Sequence, residues 1–170
     1  MLCIVTTMFD DQLTLVEREV LALAEAMPAN RYGFVPTGEH FRNARTFGEQ
    51  VRHTATMIYM TAALVREERS PHGPGTHNNG PDGLETKEAS VSYLREALAY
   101  ARRAVADLNA GNASDPVPTA FGAMPRSAVA AGIAYHSFNS FNHYGQMLVY
   151  ARLNGVQPPA SVPPDDKLGR

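Results

Sequence analysis

The chain has 170 residues, with 15 lysines and arginines against 17 aspartates and glutamates and a formal net charge of −2. That length suits one domain with a real core, and the near-neutral balance excludes the basic footprint of a DNA or RNA binder. Its single cysteine, Cys3, excludes both an intrachain disulfide and a cysteine-built zinc site.

The remaining composition, 44% hydrophobic and 19% charged, is ordinary for a soluble globular protein. Residues 1–5 are apolar but very short, and Asp10 and Asp11 follow without a basic region. Neither a signal peptide nor a membrane span is expected, and the reading is a soluble, cytoplasmic protein.

In chain order, the first helix is expected over about 9–28. Leu13, Val16, Val20, Leu23, Ala24 and Met27 recur at steps of three and four, and Pro28 closes the run. A connection over 29–45 follows, punctuated by Gly33, Pro36 and Gly38 and carrying the aromatic anchors Tyr32, Phe34 and Phe41. Thr46 and Glu49 form the signature of a capping box, which starts a second helix over about 46–68. One stripe of this helix reads Gln50, His53, Met57, Met60, Leu64, so an imidazole shares a face with core-type side chains.

Residues 69–84 carry so much glycine and proline that no regular element fits, and a loop this long is either mobile or a lid near a site. His72 and His77 are expected to be solvated there. A third helix is expected over about 86–109, with Val91, Leu94, Leu98, Ala101 and Val105 as its core stripe. A second irregular stretch covers 111–124. The fourth helix is expected over about 125–154, with Pro125 at its first turn and Asn154-Gly155 as its cap, before an extended tail over 156–170. Four long helical patterns and no convincing strand predict an all-α, four-helix bundle filling the chain as one domain.

The chemistry concentrates on the fourth helix. His136, Asn139, His143 and Gln146 follow at steps of three, four and three, which lie on one helical face inside an otherwise apolar run. If His53 comes from an adjacent helix, His53, Asn139 and His143 converge. Imidazole suits zinc, nickel, copper and iron, and an ion held by few protein ligands keeps positions open for water. His136 lies two turns from His143, about 10 Å along the axis, whereas imidazole–metal bonds are about 2 Å. It therefore fits an outer role better than a ligand. The spacing equally fits a satisfied polar network in the core. Tyr144 and Tyr150 read as core or boundary aromatics.

Residues 46–55, Thr-Phe-Gly-Glu-Gln-Val-Arg-His-Thr-Ala, followed far downstream by His-Tyr-Gly-Gln-Met from His143 and by Leu-Asn-Gly-Val-Gln-Pro-Pro-Ala-Ser from Leu153, resemble the DinB-like and YfiT-like superfamily, the damage-inducible group of metalloenzymes. The similarity runs from the first helix to Ser161. It implies an up-down-down-up four-helix bundle, usually a homodimer, with a metal held by one histidine on the second helix and a pair spaced by four on the last. His53 and His143 match the outer positions, and the middle one falls on Asn139, a departure that weakens transition-metal binding. The resemblance also implies a divalent metal, zinc or nickel foremost, and thiol-dependent transfer to a small molecule using a low-molecular-weight thiol.

Three functions follow as expectations. The first is a metal-dependent transferase or hydrolase with His53, Asn139 and His143 as its metal set. The second is a small-ligand-binding bundle that has lost the metal. The third is a structural, dimeric interaction module.

Overall fold

The computed structural model describes residues 4–135 and 143–159. It is mostly helical with one small sheet. α1 (Ile4–Val16) runs through a π-helical stretch (Glu17–Leu21) into α2 (Ala22–Ala26), and the junction residues keep right-handed helical dihedrals, so the chain is continuously helical from 4 to 26. α3 (Phe47–Arg66) and α4 (Lys87–Ala106) follow, then an antiparallel hairpin of β1 (Pro116–Thr119) and β2 (Gly122–Pro125), then α5 (Arg126–Ala134) and α6 (His143–Leu153). Among the described residues no helix is long and apolar enough to cross a membrane.

α3 is the central element, packing against α4, α5 and α6, while α1 lies against α4 and α5 and α2 against α4 and α6. The apolar periodicity of the first helix holds: Leu13, Val16, Val20, Leu23, Ala24 and Met27 are all buried. So does that of α4, where Val91, Leu94, Leu98, Ala101 and Val105 face the core. The stripe expected on α3 is only half right. Gln50 and His53 are buried, but Met57 and Met60 are half-buried and Leu64 is exposed. With neighbours on several sides, α3 buries Val51, Ala55, Ile58, Ala62 and Val65 as well.

The first turn of α3 has its amide donors satisfied from two sources. Thr46 Oγ1 accepts from the Glu49 amide at 3.3 Å, and the Glu49 carboxylate accepts from the Thr46 amide at 2.7 Å. The Phe47 and Gly48 amides donate to the carbonyls of Phe34 and Tyr32, so the 29–45 connection docks against the helix start. Tyr32 is buried there, its hydroxyl donating to the Ala24 carbonyl at 2.6 Å. Thr46→Ala is expected to cost about 1 kcal/mol of stability, the usual worth of such a cap, read by chemical denaturation.

One expectation needs correction. Residues 111–124 were expected to be irregular, yet Val117 pairs with Met124 and Pro118 with Ala123 in a two-stranded hairpin. Pro116 and Pro118 sit in it because a two-stranded ribbon has outer edges that need no proline N–H. Of the expected fourth helix, α5 and α6 are the described parts, both helical as expected; residues 136–142, including His136 and Asn139, lie outside the described residues, as does the tail from 160 on. Its cap is as expected: Gly155 has φ of 73°, and the Val156 amide reaches back to the Ala151 carbonyl at 2.9 Å, closing a Schellman motif.

Candidate functional site

α3 contributes Gln50 and His53 from successive turns of one face, and α6 contributes His143 and Gln146 in the same way. Because α3 and α6 pack together, these four side chains meet. The His53 and His143 rings lie edge to face with centroids 4.5 Å apart. Two imidazoles that are ninety positions apart in sequence thus share one place in the fold. His53 is 7% exposed and Gln50 only 2%, so both polar groups are largely cut off from water.

Hydrogen bonds set the state of each ring. His53 Nδ1 lies 2.9 Å from the carbonyl of Asn78. A carbonyl only accepts, so Nδ1 of His53 carries a proton. His143 Nδ1 lies 2.8 Å from Gln50 Oε1, and Gln50 Nε2 donates to Gln146 Oε1 at 2.5 Å. With its amide nitrogen committed to Gln146, Gln50 turns its oxygen to His143, whose Nδ1 therefore donates. Both imidazoles thus donate from Nδ1 to a fixed oxygen. An Nδ1–H given to an oxygen, with Nε2 as the basic nitrogen, is how metal-ligating histidines are commonly oriented.

Asn78 comes from the 67–86 loop, which lies beside the site. Arg45 Nη2 donates to the His77 carbonyl at 2.9 Å and Arg45 Nε to Asn79 Oδ1 at 3.0 Å, while Asn79 Nδ2 reaches Glu49 Oε1 at 3.4 Å. The expectation that His72 is solvated is wrong. Its ring packs edge-on against Tyr59 at 4.9 Å and Tyr93 at 5.4 Å, beside the third member of the nest, Tyr100. Burial pushes the Tyr59 and Tyr100 phenols up to about 12, aided for Tyr59 by the nearby Glu96 and for Tyr100 by its hydrogen bond to Glu68. His77 is exposed, as expected.

Gln146 also lines a groove of about 470 Å³ between α6 and the 29–45 connection, walled by Pro36, Phe41, Ala44, Val149 and Leu153. The groove is mostly apolar, with the side chains of His40 and Gln146 and the Tyr150 phenol as its polar groups. A second cavity of about 510 Å³ lies between α3, the hairpin and α5. Among the described residues its lining is mostly apolar, with the Thr61 and Thr119 hydroxyls and the Tyr135 phenol as its polar side chains.

Of the residues expected to form the site, His53 and His143 come together, and Gln146 joins them through Gln50. Asn139 and His136 lie outside the described residues. Among the described residues no group of three or more His, Cys, Asp or Glu side chains is placed to hold a metal ion. Sequence reasoning missed three participants. Gln50 stood on the His53 stripe without an assigned partner. Asn78 acts through its backbone, which leaves no trace in side-chain patterns. Arg45 lay in a connection read only for its turns and aromatic anchors.

The family model described as the DinB superfamily matches residues 12–147. No curated protein matches the chain.

Proposed function

Because the chain belongs to the DinB superfamily, we propose that it is a metal-dependent enzyme of the transferase or hydrolase class acting on a small molecule. The observation that carries this reading is the matched orientation of His53 and His143, each giving an Nδ1 proton to a fixed oxygen, as metal-ligating histidines commonly do. In the same reading the continuous helix over 4–26, α3, α4, and α5 with α6 are the four members of an up-down-down-up bundle, and two copies form a homodimer.

The donor chemistry fits a borderline divalent ion. Two neutral imidazoles suit zinc or nickel, and Asn139 supplies the third position with an amide oxygen, a weaker donor for such ions. The chemistry that such an ion supplies when bound is Lewis acidity toward water or a low-molecular-weight thiol. The chain's own residues orient and enclose. The Asn78 carbonyl fixes the His53 ring, Gln50 fixes that of His143, and the groove beside Gln146 receives the apolar part of a substrate.

A non-catalytic reading, a small-ligand-binding or structural bundle, is favoured by one observation: the described residues bring together two imidazoles and two amides but no carboxylate or thiolate to complete a strong metal set. Elemental analysis separates the two. Tag-free protein purified without chelator is expected to carry near-stoichiometric zinc or nickel. Protein that stays metal-free after incubation with each ion would transfer the argument to ligand binding. Asn139→His is expected to raise zinc affinity by at least about tenfold, read by competition with a chromophoric chelator. Unchanged affinity would remove Asn139 from the metal set.

A further inference from the structure

We propose that Arg45 is a positioning residue, which fixes the tautomer and orientation of His53 by clamping the loop segment that holds the ring. Its guanidinium donates to the His77 carbonyl at 2.9 Å and to Asn79 Oδ1 at 3.0 Å. Between these two contacts lies Asn78, whose carbonyl accepts the His53 Nδ1 proton at 2.9 Å. The fork therefore brackets the residue whose carbonyl takes the ring's Nδ1 proton. A planar guanidinium holds two acceptors in a fixed relation, which a lysine ammonium on a flexible stem does not.

The loop needs such a clamp. His77 and Asn78 are consecutive non-glycine residues in the left-handed region, with φ of 56° and 58°. Backbone of this kind persists only where its surroundings over-determine it. The same unusual turn directs the Asn78 carbonyl onto α3. The clamp is itself anchored to that helix: Asn79 Nδ2 reaches Glu49 Oε1, and the other oxygen of Glu49 takes the Thr46 amide in the capping box. Helix start, arginine, loop and imidazole form one connected chain of hydrogen bonds. Any effect of Arg45 on metal affinity rests on the metal-site reading above, but its effect on the ring does not.

The test uses full-length, metal-free, ¹⁵N-labelled protein and reads the imidazole nitrogens by long-range proton–nitrogen correlation, beside zinc titration. Wild-type His53 is expected to show one protonated Nδ1 and one unprotonated Nε2. Arg45→Met and Asn79→Ala are each expected to replace that pattern with averaged nitrogens, and zinc affinity is expected to fall about tenfold, at the low end of losses seen when groups orienting a metal ligand are removed. Arg45→Lys is expected to recover only part of both. Asn79→Ala loosens the same clamp from the loop side and leaves the helix cap in place. A wild-type His53 pattern retained in both Arg45→Met and Asn79→Ala would overturn the proposal. A wild-type protein that takes no zinc would overturn the metal reading instead, while the nitrogen spectra still decide the clamp.

Discussion

His53→Ala is expected to weaken zinc binding on the order of a hundredfold or more, since it removes one of only two imidazoles in the candidate set. It also leaves the Asn78 carbonyl without its donor and opens space beside His143. Because Asn78 is exposed and water can reach its carbonyl, the accompanying stability loss is expected to be only about 0.5–1.5 kcal/mol, the usual worth of one hydrogen bond. Chelator competition and a denaturant melt on the same preparation separate the two effects. A variant that melts earlier but binds zinc as tightly as wild type would make His53 a structural residue and sink its role as a ligand.

The second large effect concerns the loop. Gly75 has φ of 63°, and a Cβ there would overlap the Gly80 carbonyl, whose carbon would lie only 2.6 Å away. No flexible side chain is available to yield, because the obstacle is backbone. Gly75→Ala is therefore expected to force the loop open, at about 2–4 kcal/mol from left-handed strain and overlap together. That opening unseats Asn78, so limited proteolysis should cut within 69–84 and zinc affinity should fall alongside. Gly83→Ala is the comparison. Its φ of 87° is also left-handed, but nothing lies within 4 Å of the added carbon, so only about 1 kcal/mol is expected. Equal behaviour of the two variants would mean that the Gly75–Gly80 approach does not hold the loop.

What the sequence made legible follows from how each feature is encoded. Helices with one buried face declare themselves by period, and Leu94, Leu98 and Ala101 of α4 are buried as the spacing requires. α3 was harder, because a central helix buries several faces and its apolar stripe blurs: Leu64, placed in the core by spacing, is exposed, while Val51 and Ile58 are buried. The hairpin was invisible because Pro116 and Pro118 read as breakers, and a short two-stranded ribbon has too few residues to show alternation. At the site, His53 and His143 could be paired through helical spacing together with the family resemblance, and their rings do meet. The groups that orient them could not. A backbone carbonyl from a glycine-rich loop and an arginine in a turn-rich connection reach the ring by tertiary folding, which local periodicity does not record.

The nest that receives His72 has an optical consequence. The chain contains no tryptophan, so tyrosine dominates its intrinsic fluorescence and near-ultraviolet dichroism. Tyr59, Tyr93 and Tyr100 lie with ring centroids 5.3 and 5.4 Å apart, close enough to couple as chromophores, and the loop imidazole sits directly on two of them. The protein thus carries a native, label-free spectroscopic gauge of whether the loop beside His53 is seated.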